Sequence, residues 1–511
     1  MTAFDQLHQH LHQSRLLGSI SSALYYDQNT VMPPAGADWR GEQLALLAGQ
    51  LHGRQSSSEY GELVAAAEAE LGVDAAPEQR RNLELLRLEL QRQRCLDPAL
   101  VTALARAQSR GNAVWQDARA RNDFPAFAPA LEELIALRRQ QANQLAAAEP
   151  VERSPWEVLA QPFEPDLNKV RLEELFAPLK EQLPPLLERV AAAEKPQQAA
   201  KEQADATALS EAQQEQLCKE LLQSWGYDGS RCQRSRSAHP FSCTLGPQDF
   251  RITTRMVPGQ PLSAFLATAH EWGHSLYEQG LPRSDDHYFP WPLGEATSMA
   301  IHESQSLFWE CRIGRSQAFA QRWHPRFATA LGADPWQNSF QFWRALNPMR
   351  PGLIRVEADE LSYCLHIVLR YELELALLEG DLPAAEMPSQ WNRRFKELFE
   401  IEPSNDQEGC LQDVHWSEGL FGYFPSYALG YLISAQLGAI MERDLGGEGA
   451  IEQLIAAGSE SSLLDWLRAQ VYPFGRRVNA EELVRQVSGE ALSAQPFLRY
   501  LGAKVERLTA P

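Results

Sequence analysis

Residues 263–280 read SAFLATAHEWGHSLYEQG, and the rest of the chain is best read outward from them. Leu262, Phe265, Leu266, Ala269 and Leu276 recur at three- and four-residue steps, the period of an amphipathic helix. Ser263 stands where a hydroxyl can cap the first turn, and Gly280 where a helix stops. Inside this helix lie His270, Glu271 and His274, the pattern H-E-x-x-H. Residues four apart lie on one face about a turn apart, so both imidazoles can reach one ion. Glu271 projects beside them, where it can take a proton from a metal-bound water. The plainer interpretation is an ordinary helix carrying two histidines. With 12 histidines in 511 residues, chance gives this pattern in far fewer than one such chain in ten.

A catalytic zinc needs a third protein ligand and one open position. Downstream, Glu278, His287, Glu295, His302, Glu303 and Glu310 are candidates. The stretch 295–311, EATSMAIHESQSLFWEC, is a second helix, joined to the first by the turn-rich LPRSDDHYFPWPLG. If the two pack antiparallel, residues equally far from the turn face each other, and Glu303 falls level with the histidine pair. Glu295 and Glu310 would lie roughly 10–12 Å off level, and His302 points about 100° away from Glu303. Glu303 is therefore the expected ligand, against the blander possibility of a buried ion-paired carboxylate. His8, His10 and His12 alternate along a helix, so they cannot converge on one ion.

Most of the remaining chain has helical periodicity, with leucines at three- and four-residue steps over 81–95 and 171–190. Pro184 and Pro185 are expected to end or kink the second of these. Residues 192–216, rich in Ala, Gln and charge, predict a solvated helix with a loop. Only 239–256 has strand character: Phe241–Leu245 and Phe250–Met256 flank a Gly-Pro turn and predict a small hairpin. Arg231, Arg234 and Arg236 in R-C-Q-R-S-R have the look of a solvated loop. The expected fold is mainly α with one small antiparallel β-sheet. No repeat period, Gly-rich phosphate loop or G-x-S-x-G is present.

Charge narrows the partners. Lys plus Arg is 47 and Asp plus Glu 67, a net −20, which repels nucleic acid and anionic membrane alike. The first twenty residues lack a basic region followed by an apolar run, so no signal peptide is expected. Seven scattered cysteines without C-x-x-C point to reduced thiols in a cytoplasm.

Beyond these features, the chain resembles the carboxypeptidase Taq family of metallocarboxypeptidases. The resemblance rests on motifs in order: His239-Pro240-Phe241; D-x-R-x-T at Asp249, Arg251 and Thr253; the H-E-x-x-H; and H-E-S-Q at 302–305. I-R-x-x-A-D follows at Ile354, Arg355, Ala358 and Asp359, then G-x-x-Q-D-x-H-W at 409–416, and YYDQNTVMPPAG at 25–36 also matches. It departs at Leu307, where the family usually has Arg. The resemblance implies one catalytic domain over 1–511: a mostly helical cover (1–230), the metal site and substrate motifs (231–440) and C-terminal helices (441–511). It further implies a deep active-site groove, a homodimer, and zinc or cobalt as the metal. The implied reaction is release of single C-terminal residues from short peptides with broad specificity, the Glu271-activated water attacking the last peptide bond.

An oxyanion donor is needed opposite the metal. DVHWSEGLFGYFPSYALG supplies His415, Tyr423 and Tyr427, and by resemblance to related zinc peptidases Tyr423 is favoured, with His415 assisting. Strict end-cutting requires a cation for the substrate carboxylate, for which Arg can offer a bidentate fork. Arg355 and Arg251 lie in the matching motifs, with His239 and Tyr427 as further substrate contacts. Arg355 is expected in an apolar helix, where an ion pair with Asp359 is the competing use of its charge. Competing readings of the whole are a zinc oligopeptidase or dipeptidyl carboxypeptidase, and a helical interaction scaffold with a vestigial metal site.

Overall fold

The protein is described by a computed structural model covering residues 1–72, 74–149, 151–193, 209–282, 289–380 and 382–510. Residues 194–208 of the predicted Ala/Gln-rich stretch, and 283–288 of the turn after the H-E-x-x-H helix, including His287, lie outside the described residues. Among the described residues helices dominate, with three short strands. The chain forms two compact units: Met1–Leu90, Gln197–Asn347 and Ser434–Ala491 make one, and Gln91–Pro196, Pro348–Ile433 and Leu492–Pro511 the other.

In the first unit the Ser263–Gly280 helix is buried on nearly every side. Phe265 meets the rings of Phe319, Trp323 and Phe327. Trp272, fully buried, donates its indole N–H to the Trp225 carbonyl at 3.1 Å. Each such aromatic contributes about 1.5–3 kcal/mol by leaving water, so packing rather than helix propensity fixes this segment. Ser263 does not cap it: the N-cap is Leu262, without a side-chain hydrogen bond. Anchorage comes instead from the sheet, where Thr254 Oγ1 donates to the Ala264 carbonyl at 3.1 Å.

That sheet contains the expected hairpin, β2 (Ser242–Gly246) antiparallel to β3 (Asp249–Thr254). It also contains β1 (Cys232–Arg236), parallel to β3 with Cys232 opposite Phe250 and Arg236 opposite Thr254. The sheet is thus mixed, and R-C-Q-R-S-R is largely strand, not loop. Its charges are tolerated because the Glu211–Ser224 helix answers them: Arg234 pairs with Glu215, and Arg236 with Glu211 at 2.6 Å.

In the second unit the Lys169–Ala192 helix runs through Pro178, Pro184 and Pro185 without ending. Its apolar stripe, Leu172, Leu175, Phe176, Leu179, Leu183, Leu187 and Val190, is buried. Pro184 and Pro185 lie off that stripe, Pro185 exposed and Pro184 half-buried, so the packed side keeps its continuity although two ladder bonds are lost. The Tyr363–Leu378 helix is buried almost all round. Tyr371 on it meets Trp156 and Phe176 edge-on. Among the described residues no helix is long and apolar enough to cross a membrane, and all seven cysteines are unbridged.

Candidate metal centre and active site

His270 and His274 hold their rings 4.9 Å apart, nearly perpendicular. A ligand atom from each, together with one from Glu303, falls within 4.8 Å of the others. Glu303 Oε2 is 3.5 Å from His274 Nε2. It comes from the Met299–Leu307 helix, whose first turn is capped by Ser298. The two helices approach so closely because position 273 is glycine. A Cβ there would stand 2.7 Å from Ser306 Cα and 2.8 Å from the Gln305 carbonyl oxygen.

The other ring nitrogens are already engaged. His274 Nδ1 donates to the His302 carbonyl at 3.1 Å. His270 Nδ1 lies 3.0 Å from Glu310 Oε2, and Glu310 Oε1 accepts from Arg315 Nη2 at 2.7 Å. An acceptor at Nδ1 places the proton there and leaves Nε2 as the ligand atom. Glu310 reaches this position from a π-helical turn, Phe308–Gly314, a form concentrated at functional sites. His302 stacks on His274 with centroids 4.4 Å apart and meets Glu278 at 3.0 Å. Glu278 in turn accepts from Thr244 Oγ1 on β2 at 2.9 Å.

Charge in this pocket is weighted towards the anion. Burial opposes a charged His270, yet the Glu310 bond and the carboxylates of Glu303 and Glu271 carry its pKa up to about 10. Burial lowers His274, helped by its neighbours His302 and His270. Glu271, only 7 % exposed, is pushed by burial up to about 7, with His270 acting against the rise. Glu310 falls to about 2 because Arg315 and His270 outweigh its burial. Two imidazole nitrogens and a carboxylate oxygen, in surroundings that favour positive charge, suit a borderline divalent cation.

The second unit holds another cluster. His415, on the 3₁₀ turn His415–Glu418, has Phe424, Tyr423 and Tyr427 around it, at 4.5, 5.5 and 6.3 Å between centroids. Burial, with Arg355 and Arg370 nearby, lowers His415 to about 4 despite Asp413, so its imidazole is neutral at pH 7. Arg355 is 6 % exposed and faces the rings of Tyr427 at 5.2 Å and Phe424 at 5.6 Å. Its Nε and Nη2 reach Asp413 Oδ1 at 2.9 and 2.8 Å, and Nη1 donates to the Tyr363 hydroxyl at 2.8 Å. Arg370 takes the other oxygen of Asp413 at 2.5 Å.

Residues 6–505 match the sequence profile of the carboxypeptidase Taq (M32) metallopeptidase family. Thermostable carboxypeptidase 1 of Thermus thermophilus is 37% identical over 519 residues, 99% of each chain. The M32 carboxypeptidase of Deinococcus radiodurans superposes with a TM-score of 0.91 at 31% identity, covering 99% of both chains. Metallocarboxypeptidase 1 of Trypanosoma cruzi gives 0.91 at 33%, over 100% of this chain and 99% of its own. The chain belongs to the carboxypeptidase Taq family.

In this M32 metallocarboxypeptidase the expected trio and Glu271 do come together on one helix pair. Arg355 is the main departure. It sits on a short 3₁₀ turn, Arg355–Glu357, not an apolar helix, and its partner is Asp413. Asp359 instead accepts the backbone N–H groups of Arg350, Leu361 and Ser362, so the pairing by sequence proximity does not form. Arg251 is held by Asp249 through two 2.8 Å bonds and lies over Tyr26, while His239 is exposed. Leu307, the expected departure from the resemblance, is buried. Sequence reasoning discarded Glu310 as a ligand and missed it as the support of His270. Its place seven residues after Glu303, two turns along the same face, was the available signal.

Proposed function

We propose that this M32 enzyme removes single residues from the free C-terminus of short peptides, with His270, His274 and Glu303 holding one zinc ion. The observation that carries this reading is the Nε2, Nε2 and carboxylate set, with Glu271 buried on the same helix. Cobalt is the expected substitute. A bound ion would supply Lewis acidity, acidifying a water and polarising the scissile carbonyl.

Glu271 takes a proton from the attacking water and passes it to the departing amine. Glu310 and the His302 carbonyl keep both imidazoles in the Nδ1–H tautomer. The Tyr423 hydroxyl donates to the carbonyl oxygen as it gains charge, and neutral His415 assists. Arg355 grips the terminal carboxylate: Asp413 and Tyr363 occupy three of its N–H groups and leave two for substrate. Two guanidiniums around one Asp413 leave the cluster with an excess positive charge, which supports an anion there. Arg251 is the second choice, and His239 and Tyr427 contribute lesser contacts. Unbridged cysteines support a reducing cytoplasm, and family resemblance supports a homodimer built from single catalytic chains of broad specificity.

The test is incubation with a blocked dipeptide, a ten-residue peptide and its C-terminal amide, each with and without chelator, followed by product mass analysis. Single residues should leave only the free carboxyl ends, and chelator should stop the reaction. Dipeptide release or internal cleavage would replace this reading with an oligopeptidase.

A further inference from the structure

Glu374 lies in the middle of the Tyr363–Leu378 helix with no exposed surface, and no step of the proposed reaction uses it. Among the described residues no Lys or Arg forms an ion pair with it. Its three partners are all neutral N–H donors. Oε2 accepts from the Trp156 indole and from the Gly422 backbone N–H, both at 2.9 Å, and Oε1 accepts from the Trp416 indole at 3.1 Å. Burying a carboxylate with no cation bonded to it is costly, and burial raises Glu374 to about 7 against the pull of these three bonds and of the Arg370 charge one turn away on the same helix. An apolar side chain would fill the space at far lower cost, so the position of the donors is the informative fact.

Two of the donors bracket one turn. Trp416 follows His415, and Gly422 precedes Tyr423. A single carboxylate therefore ties both ends of the segment between the two groups assigned to the oxyanion. The third donor closes the other side. Trp156 belongs to the Pro155–Ala160 helix, and a Cβ at Gly422, whose φ is +81°, would stand 2.7 Å from Ala160 Cα. Phe163, just beyond, meets the Tyr423 ring edge-on at 5.0 Å. Within the turn, Leu420 N–H returns to the His415 carbonyl at 2.9 Å.

We propose that Glu374 is a positioning residue that clamps the 416–422 turn and thereby sets the placement of His415 and Tyr423. The inference rests on the reading that Tyr423 acts on the substrate. A glutamine at 374 must present its NH2 group to at least one indole or backbone N–H, which breaks the clamp without emptying the space.

Steady-state kinetics on a free-carboxyl peptide, with the metal-loaded full chain, decide it across wild type, Glu374→Gln, Tyr423→Phe and the double variant. Glu374→Gln should lower kcat about 10–100-fold, the scale of a misplaced catalytic group, with KM within about twofold. Its metal content should equal wild type, a result that a general loss of structure would not give. On the Tyr423→Phe background the further loss should shrink to below about threefold. A kcat within twofold of wild type for Glu374→Gln, or an undiminished loss in the double variant, would overturn the clamp. A normal kcat for Tyr423→Phe alone would instead sink the role of Tyr423, and His415→Ala would then serve as the background under the same criterion. If Glu374→Gln fails to fold, Trp416→Phe removes one donor together with part of a buried indole, and the Tyr423→Phe background again separates misplacement of Tyr423 from the general cost of the cavity. A lower kcat at constant KM supports the clamp there, and an unchanged kcat overturns it.

Discussion

Replacing Glu310 by Gln removes a charge behind His270, keeps the shape of the side chain, and leaves one acceptor oxygen for the two donors His270 and Arg315. Across the width of an imidazole, about 6.5 Å, a unit negative charge attracts a divalent ion by roughly 5 kcal/mol at an effective dielectric of about 20. Arg315, bonded to the far oxygen of Glu310 at 2.7 Å, opposes this from about 10 Å with roughly 3 kcal/mol. Arg315 stays in place in the variant and its repulsion cancels from the difference, so roughly 5 kcal/mol is the electrostatic upper limit of the loss. At least the loss of about 10–100-fold in metal affinity met for partners of metal-bound histidines is expected. Competition against a chromophoric chelator at fixed pH measures it directly. Arg315→Gln should move affinity the other way, since it releases the full charge of Glu310. Glu310→Gln binding metal within about twofold of wild type would show that His270 does not depend on this carboxylate.

Glu271→Gln should keep the metal and lose about 10²–10⁴ in kcat, and retention of a third of the activity would remove it as general base. Glu303→Ala should lower metal occupancy, measured by elemental analysis of the purified protein. Arg355→Ala should cost about 2–5 kcal/mol in kcat/KM, and amidating the substrate should then scarcely hurt further; full discrimination by the variant would pass the anchor to Arg251. Burial alone would raise the Asp413 carboxyl, but Arg370 and Arg355 hold it well below the usual range. Its stabilising contribution is therefore complete above about pH 4 and disappears as pH falls towards the depressed folded value. Asp413→Asn should cost about 3–5 kcal/mol at pH 7 and flatten that acid limb in thermal melts; an unchanged limb would show that the pair is not what titrates.

Local signals carried far in this chain. The H-E-x-x-H helix, the level of Glu303 and the β2–β3 hairpin follow from periodicity, turn residues and a count of residues across one turn. What escaped depends on partners distant in sequence. β1 is a strand because Glu211 and Glu215 neutralise its arginines. Arg355 finds Asp413, 58 residues away, in preference to Asp359, 4 residues away, because Asp359 is already saturated by backbone donors. The proline pair in the Lys169–Ala192 helix is tolerated because both rings lie off the packed stripe, a fact of tertiary placement that no local rule contains.

Gly273 contributes no atom to the metal centre, yet it sets the distance between the helix of the two histidines and the helix of Glu303. A mutational scan should therefore show sharp intolerance at a position with no chemistry of its own. Even alanine would have to force backbone apart, because the obstructing atoms are Ser306 Cα and the Gln305 carbonyl and not a side chain that can swing away. The bite of the three ligands is thus a property of two touching main chains. Selection for an ion of different radius would have little to gain from exchanging donors while that contact stands; it would have to begin by moving a helix.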